Sequence, residues 1–371
     1  MRDCYRITDT SEIITPALLI FSELLEQNLR AMLEIAGDPG RLRPHCKTHK
    51  IQEVAELGCR HGIHKGKCAT FAEAEMLARA GVDDIFLAYP LVGPNLARAV
   101  EFRRRYPGVI FAVTADDPEQ VHRLSETMAG AGQSIEVLVD IDTGQHRTGV
   151  PAGNRAAELY QLIARLPGLR PGGLHVYDGH NHQRDLAERR KAVLACWEPV
   201  DALRQQLAVA GLPVPRIVAG GTGSFPIFAT MPFPELELSP GTVIFHDAGY
   251  GEMFPDLCFE PAALVLTRVI SRPTPQRVTL DLGYKAIASD PPAGNRLTIP
   301  DLPDAKAVLQ NEEHLVIETE RAGPIRIGDE FLAIPRHVCP TTALHKQVYV
   351  IRNQSVVGTW NVVARDRQLT I

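Results

Sequence analysis

A lysine at the end of a β-strand can do covalent chemistry, because desolvation lowers its pKa and frees the amine to attack a carbonyl. Lys47, within Arg43-Pro44-His45-Cys46-Lys47-Thr48-His49-Lys50, is such a lysine; taken alone, a lysine on a loop beside solvent is the plainer reading. Ala219-Gly220-Gly221-Thr222-Gly223-Ser224 joins glycines, which let backbone N–H groups approach a ligand, to the hydroxyls of Thr222 and Ser224. That pattern suits a phosphate. In the stretch 140–149, Arg147 is a fixed cation that either pairs an anionic oxygen of a ligand or only bridges Asp142. His175-Val176-Tyr177-Asp178-Gly179-His180-Asn181-His182 concentrates histidines at a strand end, and strand alternation puts His175 and Tyr177 on one face. In Arg336-His337-Val338-Cys339-Pro340-Thr341, an imidazole and a thiolate two residues apart can share one metal ion if the strand conformation continues. Such donors favour Zn²⁺. The competing reading is a buried cysteine and a surface histidine.

These groups need elements to hold them. From about residue 20 to 250, short β-rich runs alternate with longer helical ones. Strands are expected at 42–47, 63–70, 84–89, 109–115, 135–142, 172–179, 216–222 and 242–248. Most are near-continuous apolar runs, as parallel strands covered on both faces should be. Between them, Leu24, Leu25, Leu29, Met32 and Leu33 mark one helix face; Thr70 and Glu73 form a capping-box pattern. Asp117-Pro118 starts another helix, Asn154 is a candidate cap, and Gly81 and Gly132 stand where helices should stop.

Repeated βα units imply a parallel sheet, and eight imply closure into a barrel, with an open doubly wound sheet as the alternative. Barrel enzymes place their chemistry at the C-terminal ends of strands, where the lysine, arginine, histidine and glycine groups fall. After about residue 260 the pattern changes to short strands: ALVLTRVISR, RVTLDLGY, HLVIET, EFLAIP, QVYVIR and SVVGTWNVV, with no evident amphipathic helix and a Pro-rich loop over 291–306. The expected architecture is a (β/α)₈ TIM-type barrel with a second, β-rich domain formed by the C-terminal part and the N-terminal strand. Its expected bounds are 1–21 for the N-terminal strand segment, 22–255 for the barrel and 256–371 for the β domain carrying the metal motif.

The 371 residues carry a net charge of -5 with acids and bases interspersed, so no basic stripe suggests nucleic acid. No apolar run reaches the length of a membrane span, and MRDCYRITDTSEI lacks the apolar stretch of a signal peptide. Seven cysteines without a CxxC pair suit a reducing compartment, so a cytoplasmic protein is expected.

TPALLI, RPHCKTHK, ATFAEAEMLARAGVDDIFLA, DIDTGQHRTG, GLHVYDGH, GGTGSF and RHVCPT together give a chain that resembles the fold-type III pyridoxal phosphate (PLP) enzymes, within them the D-threonine aldolase and D-serine dehydratase group with its alanine racemase-like N-terminal barrel. The resemblance covers nearly the whole chain. It implies that Lys47 is the Schiff-base lysine, that Gly221, Thr222, Gly223 and Ser224 meet the phosphate, that Arg147 lies near the phenolic oxygen, and that His175 and Tyr177 belong to the cofactor site. His337 and Cys339 would hold a divalent metal, Zn²⁺ or Mn²⁺/Mg²⁺, with His180 or His182 as base. The implied activity is that of a PLP- and metal-dependent lyase on 3-hydroxy-D-amino acids: retro-aldol cleavage of the D-threonine type, or dehydration of D-serine or D-3-hydroxyaspartate. Racemisation, with Tyr284 as second acid–base, is a further alternative. Cys339 matches the zinc dehydratases, whereas LPDAKAVLQNEEHLVIET looks like the aldolase branch. A homodimer is implied.

Overall fold

The computed structural model describes residues 3–371, which pack as two compact units. One unit comprises Met1–Met32, Thr48–Ile51 and Thr242–Asp366; the other comprises Leu33–Lys47, Gln52–Gly241 and Arg367–Ile371. The first strand of the chain, β1 (Ala17–Phe21), lies in the former unit. The latter is built on β2 (Lys65–Cys68), β3 (Asp84–Pro90), β4 (Ile110–Ala115), β5 (Ile135–Asp142), β6 (Val150–Pro151), β7 (Leu169–Tyr177), β8 (Ile217–Ala219) and β9 (Leu236–Leu238).

These strands run parallel in the order β2-β3-β4-β5-β7-β8-β9, with β6 beside β5. The expected strand at 42–47 survives only as two bridges: Leu42 pairs with Leu238 of β9, and His45 with Lys67 of β2. Those bridges join the two edges of the sheet and so complete the barrel. Pro44 has no N–H for a ladder, though its carbonyl accepts from Lys67 N–H at 2.9 Å. The segment then coils into a 3₁₀ turn, Cys46–Thr48. The strand expected at 242–248 does not form. Pro240-Gly241 breaks the extended run, β9 supplies the last strand before it, and Thr242–Ile244 makes a 3₁₀ turn.

Local signals place most helices. Asp117 caps Pro118–Gly130 by accepting from Glu119 and Gln120 N–H, with Pro118 in the first turn. Thr70 Oγ1 accepts from Glu73 N–H at 3.2 Å, but the Glu73 carboxylate reaches Ala69 N–H rather than that of Thr70, so the capping box is shifted by one residue. Asn154 does not cap: the position belongs to Gly153, whose φ of 144° suits glycine, and no side chain caps that helix. Gly81 and Gly132 do sit just past helix ends with positive φ.

Phe86, Ala112, Leu138 and Val218, from β3, β4, β5 and β8, form a fully buried apolar layer. Toward the strand N-termini the barrel is closed by ions. Arg43, fully buried, donates to Glu237 at 2.5 Å and to Asp84 at 2.7 and 2.9 Å. Lys65 adds a contact to Glu237 at 2.7 Å, and Arg216 pairs with Asp84 and Glu136. With that end filled, the C-terminal strand ends are left for ligands.

The other unit adds β10 (Ala263–Thr274), β11 (Arg277–Leu280), β12 (Leu297–Thr298), β13 (Lys306–Gln310), β14 (Leu315–Glu318), β15 (Glu330–Pro335), β16 (Gln347–Arg352) and β17 (Ser355–Asn361). Their order is β13-β14-β11-β10-β1-β16-β17, with β15 bridging β10 and β12. The apolar β1 is therefore central, antiparallel to β10 and parallel to β16, and wholly buried. The segment 291–306 is not only loop, since it contains β12 and leads into β13. The unit also contains a helix that the sequence reading did not anticipate, Val338–Leu344.

Candidate active site

Barrel curvature brings several groups onto one aromatic ring. The Tyr177 ring, at the end of β7, has Lys47 Nζ at 5.9 Å, Lys67 Nζ at 5.5 Å and Arg147 Cζ at 5.2 Å from its centroid. Arg147 therefore does not serve as the partner of Asp142, which accepts from His146 Nδ1 at 2.7 Å and from the Gly144 and His146 N–H groups. His175, two residues before Tyr177, is buried, and its Nδ1 lies 2.7 Å from Asp140 Oδ1. Its Nε2 lies 3.4 Å from Lys67 Nζ. Burial disfavours the Asp140 carboxylate, but His175 and Thr148 outweigh it and hold the group below the usual carboxylate range.

Residue motifs alone do not single out Lys67. It is 3% exposed, and burial together with the charge of Lys47 lowers its pKa to about 7. A signal was present: parallel strands covered on both faces are apolar, so a charged residue inside KGKC on β2 is an anomaly.

Gly220, with φ of 80°, turns the chain out of β8. Gly221 N–H then donates to Ser224 Oγ at 3.0 Å, and Ser224 Oγ donates to the buried Asp178 at 2.7 Å. Ser224 is thus engaged within the protein. Phe225 N–H also closes on Gly221 C=O, while the Gly223 N–H enters none of these turn bonds. A methyl group at Gly221 would lie 3.2 Å from Tyr177 Cε2, so the turn runs against the ring that carries the cations. Thr222 is buried in the same turn. Beyond β7, His180 is half-buried; its Nδ1 is buried without a hydrogen-bond partner, and its Nε2 lies 3.9 Å from Cys196 Sγ. His182 is exposed.

In the β-rich unit the strand does not continue through the H-x-C segment. His337 is the extended N-cap residue of Val338–Leu344, and Cys339 stands in its first turn. Pro340 tolerates that turn because its missing N–H has no intrahelical partner there, and Val338 N–H is taken by Asp247 at 3.0 Å. The two side chains still meet. Burial opposes charge on both, but their mutual hydrogen bond prevails: His337 is raised to about 9, helped by Asp290, and the Cys339 thiol is lowered. Asp290 Oδ2 lies 2.5 Å from His337 Nδ1. Thr48, which follows Lys47 in the chain, and Thr242 lie 3.2 and 3.5 Å from Cys339 Sγ.

The residues fit both implied groups. For PLP there is an amine, a cationic ring face and a glycine turn that no larger residue could form unchanged. For a metal there is a cysteine biased toward thiolate and an imidazole oriented by a carboxylate, the donor set of a transition-metal site. His45, Cys46 and Glu73 also bring ligand atoms within 4.8 Å of one another, but Glu73 is used in helix capping.

Comparison with known proteins agrees with this geometry. Residues 20–248 match the family model "Alanine racemase, N-terminal domain", and residues 262–351 match "Putative serine dehydratase domain". The chain is 32% identical to D-threonine aldolase of Arthrobacter sp, over 96% of this chain and 93% of that protein. It is 31% identical to 3-hydroxy-D-aspartate aldolase of Paracoccus denitrificans, over 97% and 94% of the two chains. The solved D-threonine aldolase from Filomicrobium marinum superposes with a TM-score of 0.89 at 31% identity, covering 95% of each chain. The chain belongs to the D-threonine aldolase and D-serine dehydratase family of PLP-dependent lyases, with an alanine racemase-like barrel.

Proposed function

We propose that this enzyme is a PLP- and divalent-metal-dependent aldolase that cleaves 3-hydroxy-D-amino acids, of the D-threonine type, to glycine and an aldehyde. The observation that carries this reading is the convergence of Lys47 and Arg147 on the Tyr177 ring beside the Gly221 turn, in a chain whose relatives at 31–32% identity are named as aldolases of such substrates. When bound, PLP supplies an aldehyde that condenses with amines and a ring that accepts electron density from the α-carbon.

Lys47 would provide the amine that holds the cofactor. Tyr177 packs beside it, and His175, held by Asp140, stands two residues earlier on the same strand. Arg147 offers its guanidinium to an anionic oxygen, and the turn of Gly221, Thr222, Gly223 and Ser224 receives the phosphate, with Ser224 fixing the turn through Asp178. His337 and Cys339 would hold a divalent metal, which would supply Lewis acidity when bound; a thiolate donor favours Zn²⁺. His180 Nδ1 takes the hydroxyl proton. It is preferred to His182 because an unpaired buried nitrogen in a folded protein calls for a ligand. The enzyme works as a cytoplasmic homodimer, and sedimentation velocity should give twice the chain mass.

A second reading, dehydration of D-serine or D-3-hydroxyaspartate, is favoured by one residue, Cys339, which matches the dehydratase branch. Product analysis with D-threonine, D-3-hydroxyaspartate and D-serine in the presence of Zn²⁺ or Mn²⁺ separates the two. Glycine plus aldehyde is expected; keto acid plus ammonia would establish the dehydratase. Lys47→Ala should remove the visible absorption band of the purified enzyme, and an unchanged spectrum would remove Lys47 from its role.

A further inference from the structure

Lys67 holds none of the roles assigned to the residues around it, yet it is buried in the barrel. An amine at 3% exposure is costly to charge and needs partners. Its partner is built as a relay. Asp140 Oδ1 sits 2.7 Å from His175 Nδ1 and fixes the proton there, so Nε2 presents a lone pair to Lys67 Nζ at 3.4 Å. Asp140 is itself held by Thr148 Oγ1, which donates to Oδ2 at 2.8 Å. The carboxylate–imidazole pair thus aims an amine where a serine protease would aim a hydroxyl. The groups facing Lys67 are Lys47 from the 3₁₀ turn, Asp140 from β5, Arg147 from the loop after it, and His175, Tyr177 and Asp178 from β7 and its end. Lys67 and Lys47 stand over the same ring, at 5.5 and 5.9 Å.

We propose that Lys67, poised by the Asp140–His175 pair, is the acid–base residue that moves the proton at the substrate α-carbon. This rests on the aldolase reading. When the Cα–Cβ bond breaks, its electron pair stays on Cα and the aldehyde leaves. The Lys67 N–H bond then breaks, its proton forms the new Cα–H bond of glycine, and the neutral amine regains a proton from water. Balance requires such a donor, because the proton lost from the β-hydroxyl goes to another group. The lowered proton affinity of Lys67, near 7, lets both of its forms be populated at neutral pH.

The test uses the cofactor-loaded enzyme and glycine in D₂O. Loss of the glycine α-proton signal by ¹H NMR reports proton transfer, and the glycine-induced change in visible absorption reports binding. Wild type should exchange, with a rate that rises with pH through about 7 and then levels off. Lys67→Met should keep the absorption change and lose exchange by about 100-fold or more, together with the pH limb. Lys67→Arg, which keeps charge and bulk but does not release its proton, should bind glycine and fail to exchange. Exchange within about threefold of wild type in either variant overturns the proposal, since about 100-fold is expected of a lost acid–base group. A wild type that responds to glycine without exchange sinks Lys67 alone. Absence of any spectral response sinks the aldolase reading and Lys67 with it.

Discussion

His180 and His182 are two residues apart in sequence and differ in what surrounds them. One has a buried nitrogen without a partner, while the other faces solvent. Removing a general base typically costs 10²–10⁴ in rate, so His180→Asn should lower kcat by about 100-fold or more, whereas His182→Asn should stay within a few-fold. Steady-state kinetics on D-threonine decide it; the reverse ranking would move the base to His182. At the metal motif, Asp290 acts on His337 rather than on a metal. A carboxylate behind a metal-binding imidazole fixes its tautomer, and Asp290→Asn should weaken metal binding by about 10- to 100-fold. Titration against a chelating dye measures this without recourse to activity, and an unchanged affinity would count against the assignment.

At the level of elements, what positions the site is spread along the chain. Pro118–Gly130 begins on Asp117, whose carboxylate accepts from two N–H groups of the first turn. Asp117→Ala should cost about 1 kcal/mol in urea unfolding, the usual worth of a lost N-cap. The ion cluster at the strand N-termini weighs more. Arg43 is fully buried between Asp84 and Glu237, and removing one member of such a cluster leaves charges without compensation. Arg43→Met should destabilise the barrel unit by about 3–5 kcal/mol. A loss under 1 kcal/mol would show that Lys65 and Arg216 neutralise the two carboxylates unaided.

Over the whole molecule, two buried histidines couple folding to pH. His49 and His246 both lie in the β-rich unit, and burial lowers them from 6.5 to about 3 and about 4. Below 6.5 the unfolded chain binds protons that the folded unit refuses, so stability present at neutral pH is lost progressively as pH falls through the window from 6.5 to about 3. The two together should contribute a loss of about 5 kcal/mol between pH 7 and pH 4.5, partly offset by buried Asp247, which is raised to about 6 and takes up a proton in the folded unit over the same range. Denaturant midpoints across that range check the slope, and His49→Gln should flatten it by removing about half of the histidine contribution. A slope identical in wild type and variant would dissociate His49 from the effect.

The periodic alternation of apolar runs and helical stretches was enough to specify a parallel barrel followed by short strands, because burial on both faces dictates the composition of each strand. Residue type and spacing were enough to single out Lys47, Tyr177, Arg147 and the glycine turn as candidates. Other features were settled only by packing. Pro44 reduced the first strand to two bridges, Pro240-Gly241 moved the last one to β9, and a hydrogen bond from Val338 to Asp247 started a helix where an extended segment was expected. Lys67 meets His175, 108 residues away in sequence, because closure of the barrel sets β2 and β7 across its interior from each other. Local spacing records which groups a segment carries; which distant groups share one ring or one proton depends on the curvature of a closed sheet.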